Sequence, residues 1–178
     1  MDPGDRHRLI VGKPEVADLV RPWDPRAVEV AARVAAMVAD ARPGTVVEHV
    51  GSTSVPGLAG KGVVDLVIEA DPADVPAITG VLLDLGFGPQ TAADAFPPTR
   101  PMLRGGIEHD GRVFGLHVHV VPTTSGEAAR LRAFRDRLRS DPELRAAYEA
   151  HKRRILAEET ADPAAYQQAK DRFFDTPG

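Results

Sequence analysis

"EHVGSTSVPGLAGKGVVDLVI" occupies Glu48 to Ile68. Its second half, from Val63 to Ile68, is rich in β-branched residues and reads as a buried strand. Asp65 interrupts it. Strand alternation puts Val64, Leu66 and Ile68 on one face and Val63, Asp65 and Val67 on the other. An ionised carboxylate in such a run must be paired or metal-bound to offset its desolvation. A salt bridge to Lys61 or an arginine would satisfy it. The convergence of glycine, hydroxyls, lysine and aspartate within the stretch favours a functional site instead.

The first half reads as the loop that feeds that strand. Gly51 allows close backbone approach to a ligand. Ser52, Thr53 and Ser54 offer hydroxyl donors, and Lys61 a positive charge. If a helical turn begins near Thr53, its free amides add an anion site. The alternative is a turn whose hydroxyls bond their own backbone. A nucleotide-binding P-loop is excluded, because Val55 stands where its first glycine belongs and Gly62 where its hydroxyl belongs.

Working outward, Asp24-Pro25 predicts a helix start, with Val28, Ala31, Ala35 and Val38 as the inward stripe. Val46 to Val50 reads as a strand. Asp71-Pro72 or Asp74 begins a second helix with Val75, Ile78, Leu82 and Leu85 inward, stopped by Gly86 and Gly88. Residues 89–104, rich in proline, alanine and threonine, read as a long loop, either mobile or facing substrate. "GIEHDGRVFGLHVHVVP", from Gly106 to Pro122, predicts a hairpin turning at Asp110-Gly111. Three helices follow. Leu131, Phe134 and Leu138 stripe the first; Leu144, Tyr148, His151 and Ile155 the second. Ser140 and Glu143 form a capping-box pattern between them. Asp162-Pro163 starts the third, with Tyr166, Ala169 and Phe173 inward. The order implies one α+β domain over 1–178, with its core at about 14–174: a small mixed sheet to about residue 122 and a helical part over about 126–174.

The return strand of the hairpin carries a second signal. "LHVHVV" puts His117 and His119 on one face and Phe114, Leu116, Val118 and Val120 on the core face. Paired imidazoles can share a metal or act as acid and base near neutral pH. Val121 stands where a histidine-triad phosphohydrolase needs its third histidine. The "HxT" pairs of two-histidine phosphoesterases are absent.

Composition narrows the classes. The chain has 178 residues, 43% of them hydrophobic, and no cysteine, which excludes disulfides and thiolate chemistry. That fits a reducing, cytoplasmic setting. A formal net charge of −4 supplies no global attraction to nucleic acid or membrane. The first residues lack a signal-peptide core, and no apolar run approaches a membrane span. The arginines between Arg130 and Arg154 read as solvated helix faces paired with Asp136, Glu143 and Glu149. No aromatic stacking pattern accompanies them, so nucleic acid is not the expected partner.

"EHVGSTSVPGLAGKGVVDLVI", "LHVHVVP", "FRDRLRSDPELRAAYEAHKRRI" and "AYQQAKDRFF" together resemble the GrpB-like family of the nucleotidyltransferase superfamily. The resemblance implies a nucleotidyltransferase-like fold. It carries Gly51 and Ser52 onto a phosphate loop and Asp65 onto a metal-binding position. His49, Lys61, His117, His119, Arg135, Asp136, Tyr148, Lys152, Tyr166 and Lys170 match recurrent family positions. Two departures stand out. Val67 occupies the place of the usual second carboxylate, leaving Glu69 as a distant substitute, and Gly62 replaces a common proline.

Three functions follow from this resemblance. The favoured one is a metal-dependent enzyme transferring a nucleotidyl or phosphoryl group to a small acceptor. In it, Asp65, His117, His119 and Lys61 are catalytic. Gly51, Ser52, Thr53, Ser54, His49, Arg135, Lys152, Lys170 and Tyr166 bind phosphate or substrate. The metal is magnesium or manganese, or zinc or nickel if the histidines ligate. The second is a single-metal Asp65/His117/His119 enzyme with other chemistry. The third is a non-catalytic module for a nucleotide or another anionic metabolite.

Overall fold

A computed structural model describes residues 10–11, 20–90 and 96–157, the side chains of residues 11 and 155–157 excepted. The expected third C-terminal helix, with Tyr166 and Lys170, falls outside the described residues.

The Asp65 strand, β3 (Val64–Ala70), lies inside a mixed sheet. The other strands are β1 (Ile10–Val11), β2 (Glu48–Val50), β4 (Gly88–Pro89), β5 (Met102–His109) and β6 (Arg112–Pro122). Their order is β1-β5-β6-β3-β2, with β4 also paired to β5. All pairings are antiparallel except β3 with β6. The β5–β6 turn is the expected one: Asp110 and Gly111 both have positive φ, 47° and 71°, as a two-residue primed turn requires.

Two expectations are corrected here. Residues 89–104 are not all loop, because Met102 to Arg104 begin β5 and pair with both β4 and β6. Paired Gly105 and Gly106 hide the strand's period from the sequence. Gly105 is required there, since a Cβ would meet Ile10 Cγ2 at 2.6 Å. The strand after the first helix is also shorter than predicted, with Val46 outside it and 69% exposed.

Helices α1 (Arg26–Ala41) and α2 (Val75–Asp84) cover one face of the sheet. Pro25 holds the N-cap position of α1, and Asp24 leads into it by an Asx turn, its Oδ1 accepting from the Arg26 amide at 3.1 Å. The buried stripe of α1 is Ala27, Val30, Ala31, Val34 and Val38, while Val28 is 47% exposed. So many small apolar residues in one helix make several stripes readable, and the sheet selects one. Against it pack Leu66, Ile68, Leu103, Ile107, Leu116 and Val118.

Helices α3 (Glu127–Ser140) and α4 (Pro142–Ala157) form the helical part. The cap between them is Asp141, whose Oδ1 accepts from the Leu144 amide at 2.9 Å. Ser140 instead donates to the Arg137 carbonyl at 3.2 Å, so a single cap one residue on replaces the expected capping box. Phe134, Leu138 and Tyr148 bury Val55 and Leu58 of the loop after β2, which ties that loop to the helices. Ala128 and Leu131 of α3 cover the far end of the second sheet face, over Val50, Val67 and Val121. No helix among the described residues is long and apolar enough to cross a membrane.

Candidate functional site

The part of the second sheet face that α3 leaves uncovered carries the candidate residues. Register fixes them in rows. Asp65 on β3 lies opposite His117 on β6, which lies opposite Arg104 on β5. The next row is Val67, His119 and Met102. Asp65 Oδ1 is 3.3 Å from His117 Nδ1, and the two side chains keep 23% and 27% exposure, open to a ligand.

The loop before Asp65 is shaped around it. Gly51 has φ 71° and ψ −171°, a region essentially restricted to glycine. A Cβ there would lie 2.4 Å from Asp65 Oδ2. The short helical turn expected near Thr53 is a 3₁₀ turn over Ser52–Ser54. Two of the hydroxyls serve the loop itself. Ser54 Oγ donates to the Gly51 carbonyl at 2.6 Å, and Thr53 Oγ1 to the Val63 carbonyl at 3.0 Å. Both residues are buried.

His49 completes that internal network. Its Nε2 lies 2.9 Å from Thr53 Oγ1, whose single proton is already directed at Val63. His49 Nε2 must therefore be the donor in that contact. Burial lowers the His49 pKa from 6.5 to about 4, and the Asp65 charge opposes this only in part. Between those values the unfolded chain binds a proton that the folded site refuses. Stability tied to neutral His49 is complete above about pH 6.5 and is lost as pH falls toward 4. Relative to His49→Gln, which still donates to Thr53, the wild type is expected to lose about 2–3 kcal/mol between pH 7 and 4.5. Urea midpoints at the two pH values check this; parallel midpoints for both proteins would refute it.

Lys152 reaches the loop from α4. It is 2% exposed, and its Nζ donates to Ser52 Oγ at 3.2 Å and to the Ala59 carbonyl at 2.5 Å, above the Tyr148 ring. An ammonium only donates, so Ser52 Oγ is the acceptor and its own proton remains available for a ligand. Lys61 lies half-buried between Gly60 and Gly62.

The remaining candidates are placed differently. His119 shares the face of His117 and meets Phe96 edge-on, with ring centroids 5.6 Å apart. Phe96 lies under the Arg100 guanidinium, which pairs with Glu127. Arg135 donates to the His49 carbonyl at 3.1 Å and to Asp136 at 2.8 Å, bracing β2 from α3. Arg132 pairs with both Glu48 and Glu69 at 2.6 Å, so Glu69 has a salt-bridge partner.

The donor set can be tested against a metal. Ligands each about 2.1 Å from one ion stand roughly 3.0–3.4 Å apart at octahedral or tetrahedral angles. The Asp65–His117 separation of 3.3 Å fits one shared cation. A two-ion carboxylate clamp does not fit, because Val67 is fully buried beneath α3. Nor are the ligand atoms of Asp65, His117 and His119 gathered within 4.8 Å. Among the described residues, the trio that meets that criterion is Glu29, His109 and Asp110 at the β5–β6 turn. The His119 ring packs against Phe96 instead.

Arg104 is the residue on this face that nothing in the sequence marks. It sits in a segment that reads as loop, and only the register of β5 reveals its place beside His117.

Known proteins share this architecture. The crystal structure of the conserved protein GrpB from Enterococcus faecalis superposes with a TM-score of 0.63 at 23% identity, over 88% of this chain and 97% of that one. A poly(U) polymerase in complex with its short product ApU gives 0.51 at 14% identity, over 75% of this chain and 42% of that one. The fold is thus nucleotidyltransferase-like, as the resemblance implied. A UPF0157 protein of Streptomyces coelicolor is 34% identical over 164 residues, 90% of this chain and 83% of its own length. Another, from Pseudomonas aeruginosa, is 34% identical over 137 residues, 74% of this chain and 53% of its own length. The family model described as GrpB protein matches residues 13–177, and the chain belongs to that family.

Proposed function

We propose that the chain transfers a nucleotidyl or phosphoryl group to a small-molecule acceptor, at a site built on one divalent cation. The observation that carries this reading is the Asp65–His117 pair, with Gly51 shaped around its carboxylate and followed in the same loop by Ser52, which Lys152 bonds. Asp65 and His117 would hold the cation, which when bound neutralises charge on the transferring group. Ser52, polarised by Lys152, donates to a phosphate oxygen. Gly51 keeps the backbone close enough to Asp65 for phosphate and carboxylate chemistry to meet. A cytoplasmic setting belongs to the same proposal and rests on the cysteine-free composition.

One observation favours a second reading. The burial of Val67 removes the second carboxylate site, as expected of a module that binds a nucleotide without turning it over. A panel of the four ribonucleoside triphosphates with magnesium or manganese separates the readings. At a hundredfold excess over Kd, binding is expected to raise Tm by about 5–10 °C. Turnover that chelation abolishes supports transfer. Stabilisation without turnover supports the binding module. Neither effect with any nucleotide would sink both.

A further inference from the structure

We propose that Arg104 is an anion-binding residue that receives a phosphate group of the substrate on the β5 side of the site. This rests on the group-transfer reading of the same face. Arg104 Nε is buried and finds no hydrogen-bond partner among the described residues. A guanidinium is charged at any working pH and presents a planar fork of donors suited to phosphate. A buried donor left unpaired in the ligand-free protein costs free energy, and a ligand that pairs it recovers that cost.

The surroundings suit an oxyanion. Leu103, Gly105 and Ile107 turn toward the α1/α2 core or its edge, so alternation sends Arg104 to the opposite face. Across one strand boundary its partner is His117; across the other it is Gly88, which adds no side chain beside it. Cβ atoms so paired in an antiparallel ladder lie about 4.5–5.5 Å apart, within the span of one phosphate group. Asp65 lies one strand beyond His117. A phosphate over His117 would then have Arg104 on one side and the Asp65 position on the other.

The test is calorimetric titration with inorganic tripolyphosphate, alongside ligand-free melting curves, for wild type, Arg104→Gln, Arg104→Lys and Arg104→Leu. Arg104→Gln is expected to weaken tripolyphosphate binding by roughly tenfold or more. Arg104→Leu removes the buried donor without adding another polar atom, and is expected to raise the ligand-free Tm by about 2–4 °C. A residue with a structural role would lower Tm instead. Arg104→Lys keeps the charge but loses the fork, and weakens binding by a smaller factor. Unchanged affinity in Arg104→Gln overturns the proposal, as does a wild type that fails to bind tripolyphosphate. Should Arg104→Gln not fold, unchanged affinity in Arg104→Lys overturns it equally. An absence of turnover with nucleotides counts against group transfer alone, and an insensitive Arg104 against the anion site alone.

Discussion

Asp65→Ala is expected to reduce nucleotide turnover by about a thousandfold, close to 4 kcal/mol of barrier, while leaving the protein folded. Asp65 is the carboxylate of its row, and Val67 and Glu69 cannot replace it. Val67 is apolar and sealed under α3, and Glu69 is bound to Arg132. His117 alone cannot hold a hard divalent cation well, because magnesium and manganese prefer oxygen ligands. The fold tolerates the change because the Asp65 side chain is partly exposed and contributes nothing to the α1/α2 core. Steady-state rates with saturating manganese and matched circular dichroism check this. A variant retaining a tenth of wild-type activity would remove Asp65 from the mechanism.

Gly51→Ala is expected to cost roughly 3–5 kcal/mol of stability and to lower Tm by about 10 °C or more. Two effects combine. The backbone angles of Gly51 strain any side-chain-bearing residue, and the new methyl would sit 2.4 Å from Asp65 Oδ2. Either β2 separates from β3 or the carboxylate turns away, and the Asp65–His117 geometry is lost in both cases. The two effects are separable. In an Asp65→Ala background the contact with Oδ2 is gone, while the backbone strain and a 2.9 Å approach to the Cβ of residue 65 remain, so the cost should fall by about 1–2 kcal/mol. Urea midpoints of the two single variants and the double variant give the coupling. Additive costs would show that the carboxylate does not press on Gly51.

Both predictions depend on features with different visibility in the sequence. Asp65 was legible because a charge inside a run of β-branched residues breaks a one-dimensional pattern. The histidine pair was legible for the same reason, since alternation assigns His117 and His119 to a face without knowledge of neighbours. The burial of Val67 was not legible, because it depends on where α3 lands. Arg104 was hidden for a related reason. β5 is defined by pairing with β1, β4 and β6, and its adjacent glycines erase the alternation that marks an isolated strand. Local hydrogen-bonding competition explains the loop. Ser52, Thr53 and Ser54 are equivalent as letters, yet Thr53 and Ser54 turn inward while Ser52 meets Lys152. The shift of the helix cap from Ser140 to Asp141 is the same kind of choice between neighbouring short polar side chains.

The contact between Lys152 and Ser52 joins residues 100 positions apart, and β3 pairs in parallel with β6 across α2 and β5. Chain topology of this kind slows folding, because loop-closure entropy must be met before distant contacts reward it. During synthesis the strands of the sheet emerge well before α4. The loop that holds Gly51 and Ser52 therefore waits, without its lysine and without the Tyr148 lid over Leu58, until the helical part docks. Completion of the candidate site and completion of folding are then one event, and a chain truncated before Lys152 would keep a sheet but no finished site.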